Sequence, residues 1–128
     1  MPKDADKLFV YPFSAGVRFD RPRVMTWPVD WWLRSEMRLL GQKQVRAVAF
    51  DLFCIAQGED PVGTLPTDER LLARLVGETL EQWQRLMWQD LHPLTGWELC
   101  RCEGAGVLYY HPKCLEIAQE AHSGHGAA

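Results

Sequence analysis

Two sets of side chains have types and spacing suited to chemistry. The first is Thr79, Gln82, Gln84, Arg85 and Gln89, within the stretch LARLVGETLEQWQRLMWQ, together with Arg101 further along. A Gln carboxamide matches the paired groups adenine shows in the major groove, and an Arg guanidinium matches those of guanine. The second set is Cys100, Cys102, His111 and Cys114, thiols and an imidazole of the kind that hold zinc. Cys-x-Cys lacks the usual spacing of a zinc knuckle, and in a strand its two thiols simply share a face. The expectation is therefore no metal and no cofactor, with these four residues as the alternative ligand set.

Catalysis finds less support. The chain has no phosphate-cradling Gly loop and no nucleophile elbow. Asp30, Asp51 and Asp60 fall in separate elements, and His92 before Pro93 reads as a helix end. A non-enzymatic protein is expected.

The elements that must position these groups follow from periodicity. Residues 1–24 carry Pro2, Pro12, Gly16 and Pro22 and read as an irregular arm. TWPVDWW follows, with a short helix expected from about Pro28 to Leu33. Trp27, Trp31 and Trp32 either pack this arm on the core or offer a protein interface. After Gly41, the residues Val45, Val48, Ala49, Leu52 and Ala56 form a helical stripe. Phe50, Phe53, Cys54 and Ile55 widen it, as in a central core helix. Gly58, Pro61, Gly63 and Pro66 mark loop, with Thr64-Leu65 as a very short strand.

Thr67 or Asp68 caps the next helix, whose buried stripe is expected to be Leu71, Leu72, Leu75 and Val76. Gly77 ends it. Thr79 caps the helix that follows, with Leu80, Trp83, Leu86, Met87 and Leu91 inward. WELCRC and VLYYH read as a hairpin about EGAG. Pro112 opens a last helix, and 122–128 read as a flexible tail.

That order is the plan of a winged helix-turn-helix: an α+β, helix-rich fold with a small β-hairpin wing and an N-terminal arm. Ala73 supplies the small residue two steeply crossing helices need, Gly77 the tight turn, and Trp83 the seal. Residues 25–121 form the domain.

The segment from LPTDERLLARLVG to HPKCLEIAQEA, with WPVDWW upstream, resembles the YdaU-type prophage domain of unknown function, related to winged-helix replication-initiator domains. The residues that carry the likeness are Asp30-Trp31, Gly41, Pro66, Leu72-Ala73, Gly77 and Trp83. Gln42 and Lys43 replace the aromatic that usually follows the starting Gly, and the hairpin CRCEGAGVLYYHPKC is less basic than the family's. The resemblance implies a phage or bacterial winged helix working in replication or transcription control.

Charge sets two readings side by side. Overall, 14 basic against 17 acidic residues give −3. Residues 1–57 hold nine basic and six acidic side chains, and residues 58–128 five and eleven. Double-stranded DNA is one expected partner, with Arg18, Arg21 and Arg23 of the arm supplying the phosphate contacts the acidic second half lacks. The alternative is a winged-helix adaptor whose acidic face or aromatic arm docks a protein or a second copy, without direct DNA binding. No stretch reaches the roughly 20 apolar residues of a membrane span, and four Cys in a chain of this size read as thiols, so a cytoplasmic protein is expected.

Overall fold

The computed structural model describes residues 7–16 and 25–127, with side chains as far as His122. The elements among them are β1 (Phe9–Val10), α1 (Val29–Arg34), α2 (Glu36–Leu40), α3 (Lys43–Ala56), β2 (Thr64–Leu65), α4 (Glu69–Leu75), α5 (Leu80–Met87), β3 (Glu98–Cys102), β4 (Gly106–Tyr110) and α6 (Pro112–Ala127). The fold is α+β, with one four-stranded mixed sheet in the order β1-β3-β4-β2.

The apolar run after Gly41 becomes α3, and Val45, Val48, Ala49, Leu52, Phe53 and Ala56 are all buried along it. Gly41 lets the chain turn in from α2, because a Cβ there would run into the carbonyl oxygen and sulfur of Met37. Around α3 collect Leu72 and Ala73 of α4, Trp83 and Leu86 of α5, and Leu94, Trp97 and Cys114. This is the larger core. Leu71 and Leu75 do not join it: they are 51% and 39% exposed, against the expected buried stripe. A two-turn helix wedged between α3 and α5 buries only one narrow side, and at the crossing the small Ala73 takes that place.

A second core lies on the sheet. Tyr11, Phe13, Val62, Cys100, Cys102, Tyr110 and Ala118 form it. The hairpin is antiparallel, with Cys100 opposite Leu108, and β2 closes on β4 with Thr64 opposite Tyr110. The arm is more ordered than its prolines imply. Phe9 and Val10 pair in parallel with Cys100 and Arg101. The Tyr11 N–H donates to the Arg101 carbonyl at 3.0 Å, and the Tyr11 hydroxyl donates to the Val62 carbonyl at 2.7 Å. Tyr11 and Phe13 alternate inward and carry the strand with them. Two residues are too few for periodicity to announce a strand, and the pairing partner lies far along the chain.

α6 runs on to Ala127 where a frayed end was expected from residue 122. No proline follows Pro112 to stop it, and the His122 ring meets Phe13 edge-on at 5.4 Å. Among the described residues, no helix is long and apolar enough to cross a membrane.

Candidate nucleic-acid interface

The site is built by the turn between α4 and α5. Asp68 caps α4 by accepting from the Arg70 N–H at 2.8 Å. The same carboxylate takes the Arg70 guanidinium at 3.0 Å, and these hydrogen bonds hold Asp68 below the usual carboxylate range. Gly77 turns the chain with φ +75°, a conformation side chains with a Cβ seldom adopt. The Glu78 N–H then donates back to the Ala73 carbonyl at 2.9 Å. Thr79 and Gln82 form a reciprocal capping box. The Gln82 N–H donates to Thr79 Oγ1 at 3.1 Å, and the Thr79 N–H donates to Gln82 Oε1 at 2.9 Å. Such a cap stabilises a helix by about 1 kcal/mol, and here it fixes the start of a helix only two turns long.

α5 buries Trp83 and Leu86 and leaves Glu81, Gln82, Gln84 and Arg85 in water. Gln82, Gln84, Arg85 and Gln89 each already have a partner. Gln82 is in the cap. Gln84 Nε2 donates to Glu69 Oε1 at 2.8 Å. Arg85 pairs with Glu81 one turn back at 3.3 Å, with both side chains more than 70% exposed. Gln89 Oε1 accepts from Gln42 Nε2 at 2.9 Å, which ties the end of α5 to the start of α3. Exposed pairs of this kind contribute about 0–1 kcal/mol, so a phosphate or base edge can replace them at small cost.

Arg101 is exposed on β3, in register between Val10 and Val107, on the sheet face opposite Cys100. It lies on a different element from α5. Arg18, Arg21 and Arg23 fall outside the described residues. Sequence spacing did not single out Arg70 and Arg74. They line an open cleft of about 500 Å³ with Glu78, Thr79 and Leu80, beside the start of α5. Their i, i+4 spacing on the outer side of α4 was the available signal.

The alternative metal set does not converge. Cys100 and Cys102 place their sulfurs 3.8 Å apart within the sheet core. Cys114 is buried in the helical core instead. His111 faces an aromatic cage, with ring centroids 4.9 Å from Phe53, 5.6 Å from Trp97 and 5.7 Å from Trp31. The chain reverses between β4 and α6, which sends the four residues toward two separate cores. Among the described residues, no three His, Cys, Asp or Glu gather to hold a metal ion. Burial, with the neighbouring Cys102, pushes the Cys100 thiol up to about 12, and burial also raises Cys114. These thiols stay protonated, as core residues do.

Trp27, Trp31 and Trp32 are half-buried and pack edge-on or tilted against one another and against Phe50 and Phe53. Lys113 Nζ sits 5.5 Å above the Trp31 ring. The outward residues of α1 are Val29, Asp30, Leu33 and Arg34. Trp88, absent from the sequence-based site, is the most exposed large apolar residue of those described, at 85%. It follows the buried Trp83 by five positions, which rotates it off the inward side of α5.

Comparison of the chain with family models, with curated proteins and with solved structures returned no match.

Proposed function

We propose that the chain is a winged-helix DNA-binding module of phage or bacterial type, acting in replication or transcription control. The observation that carries this reading is the capped helix α5. It follows a Gly77 turn, has an exposed polar side, and precedes a hairpin whose second strand pairs with the short strand ahead of α4. In that plan α3, α4 and α5 are the three helices, and β3–β4 is the wing. Gln84 and Arg85 leave their weak surface partners for base edges, while Gln82 keeps the cap that orients the helix. Arg70 and Arg74, beside the start of α5, meet the flanking phosphates. Arg101 on the wing and Arg18, Arg21 and Arg23 on the arm add to that charge.

Fluorescence anisotropy with labelled duplex DNA, over a salt series, tests the reading. Affinity is expected to fall with salt and to be lost in the double variant Arg85→Ala/Arg101→Ala. Absence of binding at low salt overturns it.

The second reading, a protein-binding adaptor without direct DNA contact, is favoured by Glu78 and Glu81 beside the same helix and by the exposed Trp88. Capture of a defined partner that competes with nothing on duplex DNA is its expected signature.

A further inference from the structure

Cys100 and Cys102 are a buried dithiol in the core that the arm helps to close. Alternate positions of β3 put both thiols on one face, with their sulfurs 3.8 Å apart. They are 0% and 2% exposed. Tyr11 and Phe13 of the arm pack in the same sheet core. Burial, with Cys114, Cys100 and Cys102 around it, raises the Tyr11 hydroxyl well above the usual phenol range. The arm keeps its place by few contacts. β1 pairs with β3 over two residues, whereas β4 pairs with β3 over five. Phe9 and Val10 are exposed on that edge. Beyond the two Tyr11 bonds, the Ala15 N–H donates to the Glu103 carbonyl at 3.0 Å and the Gly16 N–H to Asp60 Oδ1 at 2.7 Å. A short segment on a sheet edge opens far more often than the rest of a fold.

A disulfide at this pair and a docked arm compete. The Cβ atoms of a disulfide stand about 3.5–4.5 Å apart. Same-face neighbours on a strand are separated by two residue rises, roughly 6.6–6.8 Å. Forming the bond therefore contracts β3 between residues 100 and 102. The residue between them is Arg101, which pairs with Val10 and whose carbonyl accepts from the Tyr11 N–H. Contraction moves both contacts out of register. β4 keeps its hold through five residue pairs and the hairpin turn, so the two-residue β1 is the strand that yields.

We propose that Cys100 and Cys102 form an oxidation site for hydroperoxides, reached when β1 lifts, and that the disulfide made there keeps the arm off the sheet. While the arm is docked, burial keeps both thiols protonated and unreactive. Once it lifts, one thiol gives its proton to water and the thiolate attacks the peroxide O–O bond. An alkoxide leaves, takes up a proton and departs as the alcohol, and the sulfur is left as a sulfenic acid. The neighbouring thiol then attacks that sulfur, the S–S bond forms, and the sulfenic oxygen leaves as water. The two thiols lose two electrons and the peroxide gains them, with alcohol and water as products. The inference does not rest on the DNA-binding reading.

Hydrogen peroxide on the full chain carrying Cys54→Ser, which removes the exposed thiol, tests the proposal. Remaining thiols are then blocked and the peptides mapped by mass spectrometry. A link between Cys100 and Cys102, lighter than the dithiol by two hydrogens and reversed by dithiothreitol, is expected. In the oxidised chain, hydrogen exchange at the Tyr11 amide is expected to rise at least roughly 10-fold, with α5 unchanged. Tyr11→Phe, which loosens the arm, is expected to speed the oxidation roughly 5–30-fold. Val48→Ala, in the helical core, is expected to leave that rate within about 2-fold. Thiols that stay unchanged even in Tyr11→Phe overturn the proposal, as do sulfenic or higher acids in place of the link, or a link through Cys114. So does a link that leaves the Tyr11 amide protected. Equal acceleration by Val48→Ala would make unfolding of the whole molecule the route, and overturns it too.

Discussion

The helical core and the sheet core reach stability by different routes. In the first, α4 follows α3 after a loop that carries β2, and α5 follows α4 directly across the Gly77 turn, each helix marked by its own cap or glycine. In the second, a two-residue strand near the N-terminus must meet β3 and lay Tyr11 and Phe13 against Val62 and Ala118. Local signals specify the one. The other exists only once distant segments have met, so it has no signature within any short window of sequence.

Substitutions can break this contrast. The largest effect is expected at Trp83, which is 1% exposed and central to the helical core. Trp83→Ala should cost about 3–5 kcal/mol in denaturant unfolding, because the indole leaves a cavity that a two-turn helix cannot close. A loss under ~1 kcal/mol would mean that α5 collapses onto α3 without it.

Acid comes next, and it probes the junction between the cores. Burial, helped by the charge of Lys113 and opposed by Glu116, lowers His111 from 6.5 to about 4. Its Nδ1 accepts from the Lys113 N–H at 3.0 Å, which requires the unprotonated nitrogen. The unfolded chain thus binds a proton that the folded chain refuses between these two values. The stabilisation is complete above pH 6.5, declines as pH falls, and is gone by about 4. Its size is about 3 kcal/mol. Thermal unfolding across that window should show the loss, and His111→Phe should flatten it. An unchanged pH profile in that variant would assign the acid sensitivity to another group.

The smallest effects compare the two cores directly. Tyr11→Phe removes the donor to the Val62 carbonyl and should cost about 1–2 kcal/mol. Thr79→Ala removes half of the capping box and should cost about 1 kcal/mol. If the arm strand is an accessory to the sheet core, hydrogen exchange in Tyr11→Phe should rise in β1 and β3 and stay unchanged in α5. A uniform rise through both cores would show that they unfold as one unit.

How much of the site could be read beforehand follows the same division. Thr79 as cap, Gly77 as turn and Trp83 as seal were legible because each acts through residues within a few positions. The partners of Gln84, Arg85 and Gln89 were less so. Arg85 uses Glu81 one turn away, but Gln84 reaches Glu69 across the turn and Gln89 reaches Gln42 on a different helix. The composition of the α5 surface was known, while its free hydrogen-bonding capacity was not. Likewise, three tryptophans near one another read either as packing on the core or as an interface, and it is the ring contacts with Phe50, Phe53 and His111 that turn them inward.

By itself, then, the sequence determined the helices from α3 to α5, their caps and turn, and the hairpin that follows. These depend on periodicity, glycine geometry and capping, all short-range. The tertiary structure decided three further matters: that the arm adds a strand, that the Cys and His groups part into two cores, and that Val29, Leu33, Leu39, Leu40 and Trp88 remain outside. Each depends on which side of a helix or strand finds a neighbour, and residue spacing alone cannot say what will be packed against it.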